Sequence, residues 1–126
     1  VKSGHGNTNN YSIGFVVRHG AVTLIMTGDA EEAAEKDMVS EGHLTHATVY
    51  KVAHHGSYTS STDEFLAAIS PDAAVISCGA GNSYGHPHDT TIEKLSQYTD
   101  KIYRTNLLGT IIMQSNGRQI TVDSKK

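Results

Sequence analysis

The sequence has a single cysteine, no excess of basic residues and no long hydrophobic run. Cys78 alone cannot form a disulfide within the chain, nor can it build a thiolate metal cage. No apolar run approaches the roughly 20 residues that a membrane-spanning helix needs, and residues 1–4 lack the apolar core of a signal peptide. These absences predict a soluble domain that is not held together by disulfides.

The charge balance limits how this chain could bind a nucleic acid. Ten Lys and Arg residues against thirteen Asp and Glu residues give a formal net charge of -3. A chain with this charge does not hold a nucleic acid by phosphate neutralisation alone, so any such contact would have to be local. With 126 residues, 37% of them hydrophobic, we expect one folded domain or a piece of a larger one.

Hydrophobic periodicity and turn signals predict an α/β fold with a mixed sheet and about three helices. A hairpin is expected first, then a helix that follows Asp29 and ends near Gly42. Capping boxes at Ser61 with Glu64, and at Thr90 with Glu93, predict the starts of the other two helices. The strands are predicted at residues 11–18, 22–27, 48–53, 73–77, 101–104, 109–114 and 118–123, with a type I′ turn at Asn116-Gly117 between the last two.

Eight histidines are unusual for this length, and four of them form two close pairs, His54-His55 and His86-x-His88. Both pairs, and also Asp29, lie in loops at strand ends, where α/β sheets usually carry their sites. We therefore expect Asp29, one of His54 and His55, and His86 to converge within roughly 10 Å, the span of a two-metal site. Pro87 stiffens the second loop and would hold an imidazole in place.

Aspartate and histidine suit zinc, manganese or iron, because imidazole supplies a nitrogen donor and a carboxylate can bridge two ions. Structural alternatives remain at each position. Asp29 could be a helix N-cap, and the pair His54-His55 could be structural. Adjacent side chains of an extended strand point opposite ways, so one histidine would bind while the other faces substrate or the core. For His88, a surface turn is the favoured interpretation.

Four strings, in this order and at these separations, are more specific than any one cluster: TGDAEEAAE, YKVAHHGSYTSS, NSYGHPH and YRTNLLGTI. Together they resemble the metallo-β-lactamase-fold domain of the ComEC/Rec2 group, competence proteins for DNA uptake. The resemblance runs from residue 9 to about residue 112. It implies the C-terminal half of an αββα sandwich, and hence that residues 1–126 are a single domain cut from a larger metallo-β-lactamase-fold domain.

The resemblance also implies roles for the predicted site residues. Asp29 would bridge two metal ions, zinc or manganese, and His54 at the strand end would ligate the second. His55 would then face the substrate. His86 would border the active site, where an imidazolium could hold a phosphate oxygen or protonate the leaving group. The hydroxyls of Ser57, Thr59 and Ser60 would line the same opening, although ordinary loop and capping roles are favoured for them.

The sequence departs from the family in having no HxHxDH cluster. His5 stands roughly where the family's further metal-binding histidine would fall, and His43 and His46 are expected to be solvated. The metal site would therefore need the absent N-terminal half, and this chain alone would be inactive. An apolar sheet face should then be exposed or paired in a homodimer, because only three short helices cover the sheet; it carries Ile13, Phe15 and Val17 of the first strand and Val22, Leu24 and Met26 of the second.

The expected function is metal-dependent hydrolysis of a phosphodiester. The substrate would be DNA in competence and DNA uptake, or a cell-surface phosphoester, which implies the extracytoplasmic face of a bacterial membrane protein or secretion. The alternative is a non-catalytic module of the same fold, for assembly or nucleic-acid guidance. A small histidine-based metal binder, complete in itself, is a third interpretation.

Overall fold

The computed structural model describes residues 6–126, which form four α-helices, seven strands and two short 3-10 turns. The helices are α1 (Glu32–Glu41), α2 (Asp63–Ile69), α3 (Asp89–Ser96) and α4 (Thr105–Leu108). The strands are β1 (Phe15–His19), β2 (Val22–Met26), β3 (Val49–Lys51), β4 (Ala73–Ile76), β5 (Ile102–Arg104), β6 (Thr110–Ser115) and β7 (Ile120–Lys125). The 3-10 turns span Thr8–Tyr11 and Ala53–Gly56.

The first five strands form one mixed sheet in chain order, and β6 and β7 form a separate antiparallel pair. The hairpin of β1 and β2 is antiparallel, whereas β2, β3, β4 and β5 are all parallel. The predicted mixed sheet is thus confirmed. Because parallel strands end at the same edge, the loops after β2, β3 and β4 all open on one side of the molecule.

One face of this sheet carries the hydrophobic core. The register places Ile25, Tyr50 and Ala74 side by side on that face. They pack with side chains of α1, α2 and α3, among them Phe65 and Leu95. Ile25 is 1% exposed, and the other four side chains have no exposed surface. The rings of Tyr50 and Phe65 contact each other at a centroid distance of 5.6 Å, tilted by 53°. The helices therefore hold the strand ends in a fixed arrangement.

The opposite face of the sheet is only partly covered. Phe15 and Val17 of β1 lie there and are 47% and 46% exposed, beside Leu24 and Met26 of β2. Val22 is buried, and near it the backbone N–H of residue 21 donates a 2.7 Å hydrogen bond to the carbonyl of residue 117 in the β6–β7 hairpin. The expected exposed apolar face is present on β1.

Several predicted boundaries are wrong for local reasons. Residues 8–11 form a 3-10 turn, so the first strand begins at Phe15 and not at residue 11. The N-cap of α2 is Thr62 instead of Ser61, since the Thr62 side chain accepts from the N–H of residue 65. Helix α3 begins at Asp89, which places the predicted cap Thr90 inside the helix.

Two other differences concern the last third of the chain. The β6–β7 hairpin forms, but its turn is not type I′. That turn needs a positive φ at both central residues, and here Gly117 has one whereas Asn116 does not. The extra helix α4 is a single turn between β5 and β6. Among the described residues, no helix is both long and apolar enough to span a membrane.

Candidate metal centre

One pocket of about 380 Å³ lies at the edge of the sheet where the parallel strands end. All four predicted site residues, Asp29, His54, His55 and His86, line it. The remaining lining residues are Cys78, Gly79, Asn82 and Tyr84. A larger and more polar cleft, about 860 Å³, adjoins it between α1 and the loop after β3 and carries Thr59. The structure therefore brings the three predicted loops together.

The two adjacent histidines do not belong to a strand. Strand β3 ends at Lys51, and both His54 and His55 adopt left-handed backbone conformations, with φ of 52° and 56°. This conformation is uncommon for residues other than glycine and is frequently found at functional sites. The expected extended backbone at these two histidines is therefore wrong, and the tight turn lets both imidazoles line the pocket.

His55 is the histidine that approaches Asp29. Its Nδ1 lies 2.7 Å from the carbonyl oxygen of Ser77, so Nδ1 carries the proton and donates it. In the neutral ring Nε2 then bears a lone pair, and this atom lies 3.7 Å from Oδ1 of Asp29. Two electron-rich atoms at this separation repel each other unless a proton or a metal cation lies between them.

His54 is oriented by a carboxylate that the sequence analysis did not assign to the site. Its Nδ1 lies 3.1 Å from Oε2 of Glu31 and 3.2 Å from the hydroxyl of Thr59. Glu31 in turn accepts hydrogen bonds from the side-chain amides of Asn7 (2.8 Å) and Asn9 (3.0 Å). A carboxylate on Nδ1 leaves Nε2 as the coordinating atom, the arrangement common among metal-binding histidines.

Asp29 is not the N-cap of α1, which was the structural alternative. Oδ1 of Asn10 accepts from the backbone N–H groups of Glu31 (3.0 Å) and Ala34 (3.4 Å) and so performs that role from a neighbouring segment. The backbone N–H of Asp29 donates to the hydroxyl of Ser12 at 3.2 Å. The carboxylate of Asp29 is thereby left to the pocket.

His86 lies in a loop that Asn82 braces. The Asn82 side chain accepts from the N–H of His86 (3.0 Å) and donates to its carbonyl (2.7 Å). The His86 ring lies 5.8 Å from that of His54 and 6.1 Å from that of His55, centroid to centroid. Partial burial, together with the nearby imidazoles of His88, His54 and His55, lowers the pKa of His86. This environment favours a neutral imidazole over the imidazolium that the resemblance suggested.

The other predicted residues lie around the pocket. His88 stays outside it: the ring Nδ1 accepts a 2.9 Å hydrogen bond from the N–H of Tyr58. Ser57 and Ser60 are buried, and Ser60 donates to the carbonyl of residue 30, so both have loop roles. His46 forms an exposed 2.9 Å pair with Asp72, and His43 is exposed. His5 lies outside the described residues.

The donors of the pocket suit a divalent ion, although they are few. Zinc lies about 2.0–2.2 Å from nitrogen and oxygen ligands, so two ligands of one tetrahedral zinc are roughly 3.4 Å apart. The separation of 3.7 Å between His55 and Asp29 is close to that value. However, residues 6–126 contain no group of three or more His, Cys, Asp or Glu side chains arranged to hold an ion. The residues fit part of a metal site.

Comparison with known proteins shows the family to which the chain belongs. A family described as the Metallo-beta-lactamase superfamily matches residues 4–80. The chain belongs to this superfamily. Three curated relatives support the assignment. The chain is 36% identical to ComE operon protein 3 of Bacillus subtilis over 103 residues. The aligned residues are 82% of this chain and 13% of that protein.

The other two relatives are similar to the chain to the same degree. Competence protein ComA of Neisseria gonorrhoeae is 37% identical over 93 residues, 73% of this chain and 14% of that protein. Recombination protein 2 of Haemophilus influenzae is 33% identical over 103 residues, 82% of this chain and 13% of that protein. The chain thus spans only 13 to 14% of the length of these relatives.

Proposed function

We propose that this chain contributes to a metal-dependent phosphodiesterase with a role in competence. The observation that carries the proposal is the arrangement of His55, whose Nδ1 is tied to the Ser77 carbonyl while Nε2 faces the Asp29 carboxylate. A backbone carbonyl on the far nitrogen is the usual partner of a metal-binding histidine. Membership of the metallo-β-lactamase superfamily supports hydrolysis as the reaction class.

In this proposal Asp29 and His55 hold a zinc or manganese ion, and His54 supplies a further nitrogen. This exchanges the two histidines relative to the sequence-based expectation, because His54 faces Glu31 while His55 faces Asp29. Bound metal would polarise the phosphate and lower the pKa of a water nucleophile. Glu31, held by two asparagine amides, keeps the His54 ring in its tautomer and orientation.

His86 contributes to substrate positioning. As a neutral imidazole it has one N–H donor and one acceptor nitrogen, so it can donate a hydrogen bond to a phosphate oxygen. Its main chain is held on both sides by Asn82, which keeps the ring from swinging away from the pocket. The reaction would therefore rely on His86 for orientation, without requiring it to be charged in the free chain.

The names of the relatives support the proposed substrate and setting. Two of them are named for competence, ComE operon protein 3 and competence protein ComA, which supports DNA as the phosphodiester. A cell-surface phosphoester is the second enzymatic option. We further propose an extracytoplasmic location, since incoming DNA is encountered there before it crosses the membrane.

The exposed apolar face of the sheet is a surface on which a partner could pack. Phe15 and Val17, about half exposed, form an apolar strip on the face opposite the helices. We propose that the N-terminal half of a complete metallo-β-lactamase fold covers this strip and supplies the missing metal ligands. A homodimer through the same face is the alternative, and sedimentation of the chain over a range of concentrations distinguishes them.

A non-catalytic module remains the second candidate function. It is favoured by the donor count, since residues 6–126 do not offer three ligands for one ion. Such a module would keep the fold and a partial metal site for assembly or for guiding a nucleic acid. It would bind zinc weakly and would hydrolyse nothing, whatever sequence is joined to it.

The deciding experiment compares two polypeptides side by side. One is the 126-residue chain, and the other joins it to an N-terminal half that carries the HxHxDH cluster. Both are assayed with zinc or manganese on DNA and on bis(4-nitrophenyl) phosphate. We expect turnover only from the longer polypeptide, and its loss in the Asp29→Ala variant. A well-folded longer polypeptide that cleaves no phosphoester would favour the non-catalytic module.

A further inference from the structure

Two tyrosines beside the pocket are unusually exposed for aromatic residues. Tyr84 is 76% exposed and lines the pocket itself, and Tyr58 is 66% exposed and lines the adjoining cleft. Neither belongs to a helix or a strand. Their rings contribute little buried area to the core, so protein stability does not explain why large aromatic side chains lie at these two positions.

A single histidine fixes the backbones of both tyrosines. Nδ1 of His88 accepts from the N–H of Tyr58 at 2.9 Å, so the proton of the neutral ring is on Nε2. That nitrogen lies 3.2 Å from the carbonyl oxygen of Tyr84 and donates to it. His88 therefore holds the two loops at a constant separation, which gives this residue, expected to lie in a simple surface turn, a defined task.

The rings around His86 form a continuous run of aromatic surfaces. Tyr84 lies parallel to His86, with a centroid distance of 5.5 Å and an interplanar angle of 17°. His86 lies in turn nearly parallel to His55, at 6.1 Å and 20°. Tyr58 contacts His88 at 5.2 Å, and His88 lies edge-on to His86 at 4.9 Å. The imidazole that would orient a phosphate is thus bordered directly by Tyr84 and, through His88, by Tyr58.

The charge of the chain makes base stacking the relevant kind of contact. Its formal net charge of -3 provides no general attraction for a phosphate backbone. Stacking of a nucleobase on an aromatic side chain does not depend on net charge and tolerates any base, because every base has a π-face. Unpaired bases are accessible for such stacking, whereas those of a duplex are already stacked.

We propose that Tyr84 and Tyr58 are stacking platforms for unpaired nucleobases on either side of the phosphodiester that lies over His86. The substrate class is therefore a single-stranded stretch of nucleic acid, and His88 is the positioning residue that keeps the two platforms in register. This inference deepens the proposed function and rests on it for the location of the phosphodiester. It concerns binding, which can be measured without turnover.

The experiment measures binding of a fluorescently labelled thymidine oligonucleotide to the 126-residue chain by anisotropy, with and without zinc. Tyr84→Ala and Tyr58→Ala are each expected to weaken binding about tenfold or more, the typical effect of losing one stacked base. Tyr84→Phe and Tyr58→Phe keep the ring and should bind like the wild type. Tyr11→Ala is the matched control, since Tyr11 is 62% exposed but contacts neither the pocket nor the cleft.

Two further probes identify the contact. An abasic oligonucleotide of the same length should bind at least tenfold more weakly and should not respond to Tyr84→Ala. Phosphorylcholine should not compete with the oligonucleotide at equal concentration. His88→Ala, which keeps both tyrosines but removes the bonds that fix their backbones, should weaken oligonucleotide binding but not the residual binding of the abasic probe. Urea unfolding of each variant checks that the chain is folded.

The proposal is overturned if the folded wild type binds no thymidine oligonucleotide, or if the alanine variants bind it as tightly as the wild type. It is equally overturned if the abasic probe binds as well as the normal one, or if phosphorylcholine displaces both. Failure of the proposed function has a different signature. If binding depends on stacking but the longer polypeptide cleaves no phosphodiester, the hydrolase proposal is rejected and the stacking proposal is supported.

Discussion

Glu31 and Glu35 lie about one helical turn apart at the start of α1, and both contact the loop that follows β3. The surroundings of the two carboxylates differ. The Glu31 side chain is 16% exposed and contacts His54 and two asparagine amides at the edge of the pocket. Glu35 is completely buried and accepts from the backbone N–H groups of Ser61 and Thr62, both at 2.8 Å. One carboxylate orients a site residue, and the other holds the loop.

This comparison shows that residue type and sequence position do not decide what a carboxylate does. Burial raises the pKa of Glu35, against the opposing effect of its two backbone hydrogen bonds. The hydrogen bonds of Glu35 therefore contribute to the stability of the folded state. Glu31 lies closer to solvent, so that few of its hydrogen-bond partners would be left both buried and unpaired if it were removed. We therefore expect substitutions of Glu35 to change stability and substitutions of Glu31 to change metal affinity.

The largest expected effect is that of Glu35→Ala. It leaves the buried N–H of Ser61 and the partly buried N–H of Thr62 without their acceptor. An unsatisfied buried group costs about 1–3 kcal/mol, so the free energy of unfolding should fall by roughly 2–4 kcal/mol. Urea unfolding measures this, with the exposed Glu41→Ala as a control in the same helix. A loss smaller than that of the control would contradict the assigned role.

Glu31→Gln should have the opposite profile. The variant removes the negative charge beside Nδ1 of His54, and changes of this kind in partners of metal ligands typically lower metal affinity about 10- to 100-fold. The free energy of unfolding should change by less than about 1 kcal/mol, as for other partly exposed hydrogen bonds. Zinc titration measures the predicted loss of affinity, and urea unfolding of the same sample measures the stability. Unchanged zinc affinity together with lost stability would contradict the role assigned to Glu31.

A smaller effect is expected at Tyr50, which belongs to the same buried end of the loop. Its hydroxyl accepts from the N–H of Ala53 at 3.1 Å and shares a 2.9 Å hydrogen bond with the hydroxyl of Ser61. Tyr50→Phe removes both bonds while keeping the ring, which should cost about 1–2 kcal/mol. Tyr98→Phe, whose ring is only partly buried, is the control. Thermal unfolding of both variants provides the comparison, and equal losses would argue against the Tyr50 network.

The smallest expected effect is the pH dependence of Glu35. The pKa of this carboxyl is raised above its ordinary value of 4.5, so the folded state binds the proton more tightly than the unfolded chain. Its contribution to stability is fully present below that ordinary value and is lost as pH rises through the folded pKa. Relative to Glu35→Gln, the wild type should lose stability with rising pH. Urea unfolding from pH 4 to 8 tests this, and a relative gain would show that the two backbone hydrogen bonds outweigh burial.

Much of the fold could be predicted because it depends on local patterns. Alternating apolar residues locate β1 and β2, and the polar loops at strand ends indicate where Asp29 and the histidine pairs lie. The errors at the helix starts are of one or two residues, since the N-caps are Thr62 for α2 and His88 for α3, where Ser61 and Thr90 were predicted. At α2 the error has a physical reason. Ser61 and Thr62 can both cap a helix, and the choice depends on Tyr50, which engages the Ser61 hydroxyl from a distant strand.

The sequence predicted four residues that line the pocket, but not the contacts that hold their side chains in place. Glu31 looked like one more polar residue of an amphipathic helix, because its partners Asn7 and Asn9 come from more than twenty positions earlier. The asparagine-rich segment before β1 was the only available signal. Likewise, no feature of the local sequence requires a positive φ at His54 and His55; the surrounding packing imposes it.

The central claim is that Asp29 and Nε2 of His55 are two ligands of a divalent ion, and that Nε2 of His54 is a further nitrogen donor in a site that residues 6–126 do not complete alone. Long-range nitrogen–proton NMR of the histidine rings during a zinc titration tests it most directly. We predict that zinc shifts Nε2 of His54 and His55 while their Nδ1 atoms keep their protons, and that Asp29→Ala, with the fold intact, abolishes the shifts. The claim is contradicted if zinc instead perturbs only His19, His43 or His46, or if Asp29→Ala leaves the response unchanged.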